Sequence, residues 1–372
     1  MNEAIYKQPL ILFLGAGASA PLGKMTTLQF LEWLKSQELR IPAFVNAAEQ
    51  HLRGQGKYND KLDVEAILDF IEDLVNSGEL FHHYGGEDLL RERDKLARQI
   101  DEFRGALNQP KISFAKPVPA IYNRQENEVL LQHIKDLVVS HYSEIDSQKA
   151  FELYSPLFES ILLIRPLSVF TTNYDLSWEK TYELTSTESY QLHHAPFTLI
   201  DGFRRHRVAT PHWLKSEYHD YSPSGADIIL FKLHGSVDWV RTPTGAIQRV
   251  ESQRRDPGGM KTIIIYPSQR KWEIHEEPFR TNYNYLLACL LHAKLCAVIG
   301  FSFRDQEIVE EFRQALQLNK ALELMIIDPN AEIIKARLKN KFGFDPRAEL
   351  IREEFSREAA SHLADKMKGK IK

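Results

Sequence analysis

Leu10-Ile11-Leu12-Phe13-Leu14-Gly15-Ala16-Gly17-Ala18-Ser19-Ala20-Pro21-Leu22-Gly23 is an apolar run that stops abruptly in alternating glycines. Five apolar residues in succession predict a strand buried on both faces. A glycine turn that leads into a helix exposes backbone N–H groups at the positive end of that helix, where a phosphate is favourably held. Gly15, Gly17 and Ala20 fit G-x-G-x-x-[GA], in which the first two residues permit a tight turn and close backbone approach and the third lets helix pack on strand. A tight β–α turn that binds nothing uses the same residues. A dehydrogenase fingerprint continues into a second strand with an acidic residue about 20 positions on. Here Thr27 to Leu34 keeps a helical pattern, capped by Thr26 or Thr27, so the other half of a site is expected from further along the chain.

Four later apolar runs end in the same way. Leu167–Thr171 leads into Thr172-Asn173-Tyr174-Asp175, Ile228–Leu233 into His234-Gly235-Ser236, Leu295–Ile299 into Gly300-Phe301-Ser302-Phe303-Arg304-Asp305, and Leu322–Ile327 into Asp328-Pro329-Asn330. Polar residues at the carboxyl end of a buried strand are where an open α/β sheet presents its ligand groups. Helical patterns over 175–184, 282–293, 306–318 and 331–339 separate the runs, and such alternation predicts a doubly wound parallel α/β sheet. Residues 241–266, with Thr242-Pro243-Thr244-Gly245 as turn, read as a β-hairpin inserted after His234.

The first β–α unit is followed by helix without strand. Val64, Ile67, Leu68, Ile71, Leu74 and Val75 recur at helical spacing opposite Glu65, Asp69, Glu72 and Asp73, which predicts an amphipathic helix over 63–75. Charge-rich helical patterns follow at 87–107 and 123–142 around a proline-bearing loop at 111–119. The expected organisation is a sheet domain over 1–40 and 161–350 and a helical insertion subdomain over 41–160 that covers one mouth of the site or forms an oligomer contact. A charged helix or tail over 351–372 ends the chain, and no second sensor or ATPase domain is read after Phe355.

Composition narrows the class. At 372 residues, with 43% hydrophobic and 26% charged, the chain reads as an ordinary globular protein with a large core. No apolar run reaches membrane-span length, and Met1 to Gln8 lacks the basic-then-apolar pattern of a signal peptide, so a cytoplasmic location is expected. The two cysteines, Cys289 and Cys296, lie in an apolar stretch and form no C-x-x-C pair, which excludes a cysteine-based zinc module and a disulfide framework. A net charge of −4 gives no overall pull toward nucleic acid. The basic clusters at Arg204-Arg205-His206-Arg207 and at Lys366, Lys368, Lys370 and Lys372 read as solvated surface or a partner contact. The pairs His82-His83 and His193-His194 have no carboxylate or cysteine at ligand spacing and read as surface or loop, so no metal is expected.

Gly15-Ala16-Gly17-Ala18-Ser19, Thr172-Asn173-Tyr174-Asp175, Leu233-His234-Gly235-Ser236 and Gly300-Phe301-Ser302, in this order over nearly the whole chain, resemble the sirtuin (Sir2) superfamily. With Asp201-Gly202-Phe203, Tyr266-Pro267-Ser268 and Lys271, the pattern is most similar to the bacterial SIR2-like branch of antiphage defence. The resemblance implies a Rossmann-like NAD+ site at which the nicotinamide–ribose bond is cleaved. His234 suits a general base because its ordinary pKa lies near neutrality. Asn173 orients water or the ribose hydroxyls. Asp175 accepts from the carboxamide or stabilises the cationic ribose. Gly15, Gly17 and Ser19, with Ser302, would hold the pyrophosphate through backbone and hydroxyl donors, Ala16, Thr172 and Gly300 are further cofactor-binding candidates, and Asp328 would bind the adenosine ribose.

Each residue also has a purely structural reading. His234 fits a strand-end hydrogen bond, Asp175 and Asp328 fit helix caps, and Asn173 fits a left-handed turn. For Asp305, before Gln306, capping is the preferred reading. The chain departs from sirtuin deacylases in lacking their four-cysteine zinc module, which puts an acyl-lysine groove in doubt. Water then becomes the default acceptor, and the expected reaction is hydrolysis of NAD+ to nicotinamide and ADP-ribose, with cyclisation left open. The resemblance further implies an NAD+-depleting defence effector that works as a homo-oligomer with a HerA-like ATPase partner. The rival readings are an NAD-dependent protein deacylase and a module that senses NAD+ or ADP-ribose without turnover.

Overall fold

The computed structural model describes residues 7–37, 42, 45, 49, 124–161, 166–185, 198–204, 212–213, 227–242, 245, 247–249, 261–265 and 272–371. The helix expected over 63–75, the patterns at 87–107 and 111–119, both histidine pairs, the rest of the basic run after Arg204, and Tyr266 to Ser268 with Lys271 lie outside the described residues.

Strands are numbered in chain order. Seven form one parallel sheet: β1 (Leu10–Leu14), β2 (Leu167–Thr171), β3 (Leu199–Ile200), β6 (Ile228–Lys232), β10 (Leu295–Ile299), β11 (Glu323–Ile327) and β12 (Ala348–Ile351), in the order β12-β11-β10-β1-β2-β6-β3. The five expected strands form its centre. The two outer ones, β3 and β12, are short edge strands without a long apolar run, which is why they are silent in the sequence. The central strands are mainly apolar because both faces are covered, and their polar residues include Lys232 at the carboxyl end of β6. Ile11, Phe13, Phe231 and Val298 share one buried cluster with helices α5 (Phe279–His292), α6 (Gln306–Leu318) and α7 (Ala331–Phe342). Leu10, Leu12, Leu14, Leu230 and Ala297 share the opposite cluster with α3 (Ser147–Ile161), α4 (Ser177–Thr185) and α8 (Arg357–Ile371). The sheet is therefore doubly wound. In α8, Ala359, Ala360, Leu363, Ala364 and Met367 are buried at helical spacing, so the charged segment at 351–372 contributes a wall of the core.

The chain divides into two compact units, residues 1–24, 141–265 and 271–372 as one, and residues 25–140 with 266–270 as the other. Residues 141–160, expected in the helical insertion, fall in the sheet unit because Leu153, Tyr154, Leu157 and Phe158 of α3 pack into its core. The second unit contributes, among the described residues, α1 (Thr27–Lys35) and most of α2 (Arg124–Ser143). Helix α1 opens with a reciprocal capping box, in which the Thr26 hydroxyl accepts from the Gln29 N–H and the Gln29 side chain accepts from the Thr26 N–H. No helix among the described residues is long and apolar enough to cross a membrane.

The hairpin expected over 241–266 is corrected to part of a larger element. β4 (Phe203–Arg204), β5 (His212–Trp213), β7 (Gly235–Arg241), β8 (Ile247–Arg249) and β9 (Lys261–Ile264) form an antiparallel sheet in the order β4-β5-β8-β7-β9. β7 follows β6 after only Leu233 and His234, a turn made possible by Gly235 at φ +80°. A Cβ there would lie 2.2 Å from the Ile263 carbonyl oxygen, so glycine is also required for β9 to pair.

Candidate active site

Strand β1 is flanked by β2 on one side and β10 on the other. The chain leaves β1 toward β2 and only later reaches β10, so the sheet's topological switch point lies between β1 and β10, where open α/β sheets form a crevice beyond the strand ends. The two turns that meet there are Gly15–Gly17 and Gly300. Gly15 N–H donates to the Ile299 carbonyl and Gly17 N–H to the Gly300 carbonyl, each at 2.9 Å. A Cβ on Gly300, which sits at φ +61°, would be 2.4 Å from the Gly17 backbone, and one on Gly15 would be 2.6 Å from the Gly300 oxygen. These glycines let two backbones touch.

The turn after β1 does not open directly into an α-helix, as its pattern predicts. Two three-residue 3-10 turns, Ala16–Ala18 and Ala20–Leu22, intervene, and α1 begins only at Thr27. Pro21 at the start of the second turn and Gly23 at φ 77° after it end each turn early. Half-buried Ala16 accepts from the Ser19 N–H at 3.2 Å, while the Tyr154 hydroxyl donates to the Ala18 carbonyl at 2.8 Å.

The turn after β2 is tied to the turn after β1. Thr172 N–H donates to the Leu14 carbonyl at 3.1 Å. The Asn173 amide donates to the Gly15 carbonyl at 2.9 Å and to Ser19 Oγ at 3.0 Å, and its own backbone N–H donates to Thr171 Oγ1 at 3.0 Å. Asp175 is buried at 3% exposure; Oδ1 accepts from the Ser177 N–H at 3.0 Å, the capping contact, but Oδ2 has no hydrogen-bond partner among the described residues. Lys24, Tyr142 and Tyr154 all feel its charge. Burial lowers the Lys24 pKa against the pull of Asp175 and Glu144, and burial with Asp175 raises both phenols.

Lys232, at the last position of β6, is the residue the apolar run concealed. Its ammonium donates to the Asp175 carbonyl at 2.5 Å, to Glu179 Oε1 at 2.8 Å and to Ser236 Oγ at 3.0 Å. Arg249 on β8 extends the network to Asp201 at 2.6 Å and to Asp238. Burial pushes the Glu179 carboxyl up, opposed by Lys232 and Arg249. Burial acts the same way on Asp238, but there Arg249 and Lys232 outweigh it and hold the carboxyl below its usual range. A lysine closing a buried strand was the signal in the sequence: such a charge is retained only with partners.

His234 follows Lys232 by two residues and is buried at 7% exposure. Its backbone carbonyl accepts from the Ile265 N–H at 2.8 Å. Its Nε2 lies 3.0 Å from Asp305 Oδ2 and 3.3 Å from the Tyr283 hydroxyl. Asp305 does cap α6, as its position predicts, through Oδ1 to the Ile308 N–H at 3.3 Å; the second carboxylate oxygen makes the contact that sequence missed. The remaining candidates are more peripheral. Ser302 is exposed and its carbonyl accepts from Arg337. Half-buried Asp328 accepts from the Asn330 N–H at 2.7 Å, a turn at the start of α7. Among the described residues neither bonds to the Asn173 group, and no cluster of histidine, cysteine, aspartate or glutamate could hold a metal. Cys289 and Cys296 are buried, and burial pushes the Cys289 thiol up to about 12.

A comparison with curated proteins finds no match. Among solved structures, the chain is similar to a mutant Sir2 homologue in complex with ADP-ribose, at 12% identity and a TM-score of 0.41 over 100% of this chain and 98% of that one. It is also similar to a Sir2 homologue–NAD complex, at 14% identity and a TM-score of 0.40 over 100% and 93%. A family model described as a SIR2-like domain matches residues 167–347, the stretch that carries β2, Asn173, Asp175, His234 and Gly300.

Proposed function

We propose that this chain hydrolyses NAD+ to nicotinamide and ADP-ribose. The observation that carries the reading is Asp175 Oδ2, a buried carboxylate oxygen without a hydrogen-bond partner among the described residues, on the same short turn as Asn173. A buried acceptor left open is costly unless a donor arrives. The carboxamide N–H2 of nicotinamide is such a donor, and its capture would hold the ring while the bond to ribose lengthens.

In the reaction the C1′–N bond breaks, its electron pair stays with nicotinamide, and a water oxygen bonds to C1′ and releases one proton. His234, at the carboxyl end of β6, accepts that proton or one from a ribose hydroxyl. Asn173 donates to Gly15 and Ser19, so its rigid placement supports an orienting role for its carbonyl oxygen. The glycine N–H groups of the Gly15–Gly17 and Gly300 turns bond to backbone carbonyls, so these turns would serve by letting a ligand approach bare backbone, and the resemblance of the motifs assigns Ser302 and Asp328 to the pyrophosphate and adenosine ribose. Two buried cysteines in the whole sequence leave no zinc module to shape an acyl-peptide groove, which favours water as acceptor over acyl-lysine.

The resemblance of the motifs carries the wider reading: an NAD+-depleting antiphage effector, gated through homo-oligomerisation and a HerA-like ATPase. The test of the chemistry is nicotinamide release from NAD+ by the purified chain, with and without an acetyl-lysine peptide, beside His234→Ala. Release without peptide that vanishes in the variant is the expected result. Release only with peptide would establish a deacylase, and binding of NAD+ without release, in the presence of the candidate ATPase as well, would establish a sensor. Phage challenge with cellular NAD+ measurement, in cells carrying wild type or His234→Ala, tests the defence role.

A further inference from the structure

We propose that Asp305 is the positioning residue of His234, holding the imidazole so that the hydrogen stays on Nε2 and stabilising the imidazolium when it forms; this rests on His234 acting as a base. Three observations converge. The carboxylate Oδ2 stands 3.0 Å from Nε2, and both side chains are buried, so the pair is held in a medium of low polarity. Oδ1 of the same carboxylate caps α6, a helix of 13 residues, through the Ile308 N–H. The cap fixes the side-chain torsions, and the positive helix end keeps the group ionised. An ionised carboxylate only accepts, so the nitrogen that faces it must donate, and in the neutral ring the lone pair then belongs to Nδ1.

The surroundings agree. Tyr283, from α5, is 3.3 Å from the same nitrogen, and its phenol is pushed well above its ordinary value by burial and then by Asp305, Glu307 and Glu311. It therefore remains protonated and neutral at the pH of any assay. Glu307 and Glu311 from α6 and Tyr174 from the turn after β2 act on the same phenol, the Tyr174 ring lies 6.5 Å from that of His234, and Lys341 of α7 feels the Asp305 charge. One aspartate thus serves a helix cap and a histidine at once, which a reading of Asp305 as a cap alone leaves out.

Because serine and asparagine cap helices about as well as aspartate, Asp305→Asn and Asp305→Ser remove the carboxylate while keeping the cap. The expected result for both is a kcat for nicotinamide release lowered by roughly 10²–10⁴-fold with KM changed by less than about threefold. The acidic limb of the pH–rate profile is expected to move down by about one unit, because a lost carboxylate partner disfavours the imidazolium. Unchanged kcat in a folded variant, or a change confined to KM, would overturn the proposal. A second readout is independent of turnover: ¹⁵N NMR of histidine-labelled protein, with His234 assigned by His234→Gln. Protonated Nε2 in the wild type and a lowered His234 pKa in Asp305→Asn are expected. An unprotonated Nε2 at neutral pH, or an unmoved pKa, overturns the proposal whether or not NAD+ is the substrate.

Discussion

The two halves of the candidate site are built from opposite materials. On the side of β1 and β10, Gly15, Gly17 and Gly300 bring bare backbones together, with the Phe301 side chain packed beside them against Phe13. On the side of β2 and β6, the backbone turns are spaced and held by side chains: Asn173 to Gly15 and Ser19, Lys232 to Asp175 and Glu179, and Asp305 to His234. The first side depends on space and fails by overcrowding. The second depends on complementary charge and fails when one partner is left alone.

The sharpest way to break this contrast is to add a single methyl on the glycine side. Gly300→Ala places a Cβ 2.4 Å from the Gly17 backbone at a positive φ, so the two turns must part. A loss of about 4 kcal/mol in unfolding free energy is expected, read by denaturant titration. A loss below about 1 kcal/mol would mean that the seam yields, and the contrast would not hold.

On the polar side, Lys232→Met removes the 2.8 Å ion pair of buried Glu179 and leaves it the Arg249 guanidinium at 4.0 Å, and a loss of about 3 kcal/mol is expected. Adding Glu179→Gln to that variant should recover part of it, because the weakly compensated charge, rather than the missing hydrogen bonds, dominates. If the double variant is no more stable than the single, packing rather than charge holds this turn. Asn173→Ala removes two donated hydrogen bonds and should cost about 2 kcal/mol, while nicotinamide release falls further than that loss of stability explains. Loss of stability with normal kcat would make Asn173 a tie between turns and nothing more.

The smallest expected effect is at Glu311 on α6, whose carboxyl burial, with Glu310 beside it, pushes up to about 7. Its folded-state pKa is above the unfolded value, so the folded chain binds the extra proton. Its contribution is full below about 4.5, declines as pH rises, and is lost above about 7. Glu311→Gln should therefore leave the melting temperature near wild type at pH 5 and raise it by on the order of 2 °C at pH 8. An equal difference at both pH values would remove ionisation as the cause.

The core of the fold was legible in the chain because it rests on local rules. Five apolar runs ending in glycine or polar residues became β1, β2, β6, β10 and β11, and the span expected for α6, 306–318, is the span observed. The short edge strands β3 and β12, and the antiparallel sheet apart from its hairpin turn at Thr242–Gly245, were not legible. Their pairing is supplied by neighbours distant in sequence, and β7 is hidden behind a turn of two residues. Within the site, residue types pointed to Asn173, Asp175 and His234, since strand ends are where a doubly wound sheet displays polar groups. Lys232 and the second role of Asp305 could be decided only by tertiary structure. A buried cation or a shared carboxylate is defined by what lies within 3 Å of it, and those partners, Asp175 and Glu179 in one case and His234 in the other, are brought there by the packing of strands and helices far apart in the sequence.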